Sequence, residues 1–178
     1  MNLHEWITSK VNEAEAAAKQ AAPGPWEATV DDHGRKGIEA GVWAGGIDNY
    51  VVEVVVSGDT HIADAHHIAR HSPNAILRRC EADRRVLARH RFDPDHANFG
   101  VSFYATCCEG CGYGDCGPNV ENLDDCPELI DLAHAHGITA DELASLDRPE
   151  APPYVPTPVV RRSQSRMTAD QAPATFRP

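Results

Sequence analysis

The chain has no apolar run near the ~18 residues that a membrane-spanning helix requires, so its 178 residues are expected to work in the cytoplasm, away from the bilayer. Its opening stretch, MNLHEWITSK, lacks both the basic and the apolar region of a secretory signal. Aromatic residues are scarce, at 6% against 42% hydrophobic overall, which implies a modest core. No nucleophile–base set stands out, and the H-E-x-x-H pattern of helix-borne zinc proteases is missing. Positive charge is thin in the body. The formal net charge is −11, and after Asp147 five arginines face only Glu150 and Asp170, which leaves −14 on residues 1–147. An acidic body repels phosphates, which argues against nonspecific binding of nucleic acid by that part of the chain.

Cysteine, by contrast, is concentrated. Five of the six fall in Cys107–Cys126, CCEGCGYGDCGPNVENLDDC, with four glycines and one proline between them. This reads as a zinc knuckle. Cys108-x-x-Cys111-Gly is a tight loop that aims two sulfurs at one point, and glycine suits the left-handed conformation such a loop often needs after its second sulfur. Cys116 and Cys126 complete a four-thiolate set for a structural Zn²⁺. Cys107 is an alternative first ligand, and His134 or His136 can replace a sulfur. Disulfides or free redox-active thiols are the plainer alternatives, and disulfides need an oxidising compartment.

Before the cysteines the pattern is that of an α+β fold. Leu3, Ile7, Val11, Ala14, Ala18 and Ala21 make one helical stripe, widened by Trp6, with Asn2 and Glu5 as a cap. Pro23-Gly24-Pro25 stops this helix, and Trp26 is expected to anchor the core. Residues 26–56 read as a three-stranded meander, and the β-branched run Tyr50–Val56 suggests a central strand. In residues 61–71, His61, Asp64, His67 and His71 recur at helical spacing. Asp64, His67 and His71 are thus a candidate second metal site, against the plainer reading of a solvated face. Ser72-Pro73 opens the next helix, on which Arg84, Arg85 and Arg89 are candidates for anion binding, again against a solvated face paired with acids. Cys80 reads as a buried filler. Residues 93–99 read as a linker and 100–106 as a short strand. Asp124-Asp125-Cys126-Pro127 reads as a helix start with an aspartate cap, where a thiolate gains from the helix dipole. Thr139-x-x-Glu142 is a capping box. The Pro/Arg-rich composition after 147 reads as a disordered tail.

Two stretches, AAPGPW at 21–26 and IADAHHIARHSPNAILRRCEADRRVLARH at 62–90, together resemble a family of small actinobacterial and actinophage proteins described as a domain of unknown function. Its members have a P-G-P-W turn after an N-terminal helix, then strands and a D-A-x-H-I-A-R-H-x-P helix. The resemblance covers residues 1–91. Members often continue with a cysteine pair and a later Cys-Pro, matched here by Cys108, Cys111 and Cys126-Pro127. The extra cysteines and the Pro/Arg tail depart from the pattern. The resemblance implies a source and a fold and carries no activity.

The sequence thus leads to a small antiparallel sheet flanked by helices over residues 1–92. A linker at 93–99, a Cys-rich zinc unit at 100–146 and a tail at 147–178 follow. The leading function is a non-enzymatic interaction module with structural zinc and an unidentified protein or small-molecule partner. The alternatives are a metal-dependent hydrolase using Asp64, His67 and His71, and a protein that sequesters a nucleotide-like ligand through Arg84, Arg85 or Arg89, with Trp26 or Trp43 stacking.

Overall fold

A computed structural model describes residues 1–32, 38–45, 50–54, 61–92, 106–115 and 117–150. The expected linker, most of the strand at 100–106, Cys116 and the tail from 151 lie outside the described residues. The fold is α+β. Helix α1 spans Leu3–Gln20 and begins with the capping box read from the sequence: Asn2 Oδ1 accepts from Glu5 N at 2.9 Å, and Asn2 N donates to Glu5 Oε2 at 3.1 Å. Its stripe of Leu3, Trp6, Ile7, Val11 and Ala18 is buried.

Three antiparallel strands follow, β1 (Trp26–Asp32), β2 (Ile38–Ala44) and β3 (Tyr50–Val54), in that order across the sheet. The expected central strand is therefore an edge strand among the described residues, and β2 takes the middle. Two successive hairpins put the second strand between its neighbours whatever its composition. A β-branched run identifies a strand without ranking it. Helix α2 (His61–Arg70) lies across this sheet. Ala40, Val42 and Ala65 form the buried centre of that contact, with Trp26, Ala28, Val51, Ile68 and Ala69 around it. Trp26 serves as the expected anchor, and its Nε1 donates to Ala22 O at 3.0 Å.

Helix α3 (Pro73–Arg89) starts at Ser72 with Pro73 in its first turn, although the Ser72 side chain makes no capping hydrogen bond. The expectation that α1 and α3 pack on the sheet needs correction. Their main contact is with each other, and α1 also packs on α4 (Pro127–Ala135). The element that packs on the sheet is α2. The large side chains Leu3, Trp6, Ile7 and Val11 instead join Cys80, Leu87, Cys108, Leu123, Cys126 and Leu129 in a second core. Cys80 is the buried filler expected, with its Sγ 3.6 Å from Val11 O. A short helix, α5 (Ala140–Ala144), starts at the Thr139–Glu142 capping box, and two-residue strands β4 (Tyr113–Gly114) and β5 (Gly117–Pro118) form a small ribbon. Among the described residues no helix is long and apolar enough to cross a membrane.

Candidate metal centre

The Cys-rich segment is held by backbone hydrogen bonds rather than by long elements. Cys108 N donates to Val120 O at 3.2 Å, Glu109 N to Arg91 O at 2.9 Å and Leu123 N to Thr106 O at 2.7 Å. Glu109–Cys111 form one 3-10 turn. Gly112 leaves it at φ +68°, the positive angle the sequence called for after the second sulfur. A second 3-10 turn, Leu123–Asp125, delivers Cys126 to the N-cap of α4, with Pro127 next. The helix cap is therefore the cysteine and not the preceding aspartates. Asp124 instead accepts from Leu3 N at 3.3 Å and ties the segment to α1.

Three sulfurs meet at one point, those of Cys108, Cys111 and Cys126, and the fourth group there is the imidazole of His90. His90 caps the C-terminus of α3 and is 7% exposed. Its Nδ1 lies 3.5 Å from Cys108 Sγ, 3.8 Å from Cys111 Sγ and 3.4 Å from Cys126 Sγ, and the sulfurs of Cys111 and Cys126 are 3.5 Å apart. A tetrahedral zinc ion with Zn–S near 2.3 Å and Zn–N near 2.0–2.1 Å has S···S edges of about 3.8 Å and S···N edges of about 3.6 Å. The three S···N separations bracket their value, and the S···S separation is about 0.3 Å shorter than its own. At 3.5 Å the two sulfurs are also far from the ~2.05 Å of a disulfide, and all the cysteines of the centre are free.

The electrostatics of the donor set favour a cation. Burial, followed by the neighbouring sulfurs, pushes the Cys111 thiol up, and burial pushes the Cys126 thiol up to about 11. Both shifts arise from placing thiols where their charged forms would be poorly solvated and close to one another. A divalent ion reverses that balance, because three thiolates around it leave a net charge of only −1. The chain belongs to DUF6221, a family of unknown function. The match spans residues 1–137 and so includes all four members of the cluster. No curated protein and no solved structure matches the chain.

Around this cluster, the other candidates fall as follows. Cys107 is buried but turned away from the cluster, with its Sγ 3.1 Å from Tyr113 Oη. Cys116 lies outside the described residues. Of the downstream histidines, His134 is exposed, and His136 Nε2 lies 2.9 Å from Asp83 Oδ2 in a pair about 10% exposed on both sides. The rings of His67 and His71 stand 4.6 Å apart, both exposed, and the half-buried Asp64 does not complete a three-ligand cluster with them among the described residues. Of the candidate arginines of α3, Arg84 and Arg85 are paired with acids. Arg84 bonds to Glu15 and to Asn12 Oδ1, the latter at 2.9 Å, and Arg85 bonds to Glu81 Oε1 at 2.7 Å. Arg89 is exposed. The Arg84 and Lys19 hydrogen bonds hold the Glu15 carboxyl down to about 2.

His90 is the functional residue that sequence reading missed. It stands 18 positions before Cys108, outside the cysteine window, and only the fold of α3 brings it there. The available signal was a histidine at the very end of a predicted helix that leads toward a C-x-x-C loop. Gly110, inside that loop, is what admits it. A Cβ at Gly110 would sit 2.6 Å from Arg89 O and 2.8 Å from His90 Nδ1.

Proposed function

We propose that the chain binds one structural Zn²⁺ through His90, Cys108, Cys111 and Cys126, and that it is a small non-enzymatic accessory or interaction module of an actinobacterium or its phage, acting in the cytoplasm. The observation that carries the metal reading is the convergence of three sulfurs and one imidazole nitrogen, all within 4.8 Å of one another. Thiolate donors in a tetrahedral S₃N set select zinc over the hard cations that prefer oxygen. Four protein donors also leave no coordination position for water or substrate, which separates a structural zinc from a catalytic one. That closure supports a module over a hydrolase. The partner is an unidentified protein or small molecule, recognised elsewhere on the surface.

The test is metal content of the purified chain, followed by Co²⁺ substitution, whose absorption reports sulfur ligation and tetrahedral geometry. One zinc per chain is expected. His90→Ala and Cys111→Ser should lose it, and Cys116→Ser and His67→Ala should keep it. A chain that keeps zinc in His90→Ala and loses it in Cys116→Ser has the four-thiolate set instead. A second metal that depends on His71 would favour the hydrolase.

A further inference from the structure

The four donors are not equally enclosed. Cys108, Cys126 and His90 are buried, whereas Cys111 is half-buried. Beside Cys111 stands a fifth group, the carboxylate of Glu128 in the first turn of α4, with its side chain 52% exposed. Its Oε2 lies 3.5 Å from Cys126 Sγ, 3.6 Å from Cys111 Sγ and 4.0 Å from His90 Nδ1. These three atoms make up the face of the tetrahedron that excludes Cys108. An oxygen standing ~3.6 Å from each corner of such a face is about 3.7 Å from the centre, against the ~2.0–2.2 Å of a bonded carboxylate. Glu128 is therefore no ligand in the closed site. It stands over a face that contains Cys111, the least buried of the four donors, and its own side chain is half exposed.

We propose that Glu128 is the access ligand of this centre: it binds the incoming or departing Zn²⁺ transiently across the Cys111–Cys126–His90 face, so that the metal exchanges through that face. The inference rests on the zinc reading above. A hard carboxylate oxygen on a flexible, exposed stem suits this role. It captures a hydrated cation from solvent, and in release it occupies the coordination position that a departing thiolate vacates. Because it acts in passage, it speeds uptake and release together. A residue that merely orients the ligands would instead change metal affinity, commonly by ~10–100-fold.

The experiment uses the full chain and its Glu128→Gln and Glu128→Asp variants. Metal content and the Co²⁺ spectrum establish the site. Stopped-flow then measures uptake of Zn²⁺ alone and release of zinc to an excess of a chromophoric chelator. One metal and one spectrum are expected for all three proteins. Glu128→Gln should slow uptake by about ten-fold, the low end of what a focused protein field adds to association rates, and slow release in step, with their ratio unchanged. Glu128→Asp should fall between. Equal rates in wild type and Glu128→Gln would overturn the proposal. So would a changed Co²⁺ spectrum, which would make Glu128 a resident ligand, or a changed affinity at constant uptake rate, which would make it a positioning residue. Wild-type chain without metal would overturn the zinc reading itself and this proposal with it, an outcome that stoichiometry distinguishes from all the others.

Discussion

Gly110 sits where a backbone, a carbonyl and a metal-directed nitrogen crowd together. The atoms that an added Cβ would meet are Arg89 O at 2.6 Å and His90 Nδ1 at 2.8 Å, neither of them the movable end of a long side chain. Gly110→Ala must therefore shift either the end of α3 or the loop. Overpacking of this kind costs about 1–3 kcal/mol, and here it also displaces a ligand. Zinc-loaded Gly110→Ala should show a lower denaturation midpoint and weaker zinc retention against a chelator. A variant that matches wild type in both would mean that the loop yields without effort. The case also shows what could be read from residues alone. The Cys108-x-x-Cys111-Gly loop and the positive φ of Gly112 were legible, because they are local chemistry. His90 was not, because the atoms that need Gly110 to be small come from another part of the chain.

Between elements, the pair of His136 and Asp83 does the joining. Asp83 is on α3, the helix that ends in His90, and His136 caps α4, the helix that begins at Cys126. Their 2.9 Å contact is about 10% exposed, and Arg79 Nη2 donates to Ala135 O at 3.1 Å beside it. The C-terminal end of α4, away from Cys126, is thus fastened to α3 about two turns before His90. Removing Asp83 leaves His136 without this partner, and removing His136 leaves Asp83 with the longer 3.9 Å contact to Arg79 Nε, at about 1–3 kcal/mol in each case. Asp83→Ala and His136→Ala should each destabilise the chain by that amount. The double variant should cost less than their sum, since residues in contact couple by ~0.5–3 kcal/mol. Strict additivity in denaturant titrations would mean that the contact contributes nothing. At this scale the sequence was readable for element type and ends: the caps at Asn2 and Thr139 and the stop after α1 needed only neighbouring residues. Order in the sheet and the partner of α1 were not readable. Both depend on which apolar face is filled first, and periodicity describes a face without naming what covers it.

Among the described residues, apolar packing across the molecule follows two clusters. One joins the sheet to α2. The other joins α1 and α3 to the segment around Cys108, Cys126 and Leu129. The sequence suggested a boundary near residue 92, yet the second cluster takes side chains from both sides of it. Burying Cys108 and Cys126 in the same core as Leu3 and Ile7 would couple the proposed zinc ion to α1. Metal binding is worth roughly 10–16 kcal/mol in small zinc peptides at neutral pH, and it appears as folding energy. Chelation should therefore reduce amide protection in α1, α3 and residues 106–138 together and spare β1, β2 and α2. Hydrogen exchange with and without chelator checks this. Loss confined to residues 106–138 would show instead that α1 and α3 hold each other without the metal.

The packing of α1 on α4 also sets a timetable for synthesis. The last residue of α1 is Gln20 and the first of α4 is Pro127, 107 positions later. A ribosome adds roughly 5–20 residues per second, so α1 waits about 5–20 s for the helix that covers part of it. During that interval Leu3, Trp6, Ile7 and Val11 have no finished core to enter, and Cys126, the last donor of the centre, has not been made. The nascent chain therefore carries α1 covered by α3 but not yet by α4 until the Cys-rich segment is made, and chaperone capacity acts on that bare flank in the same few seconds.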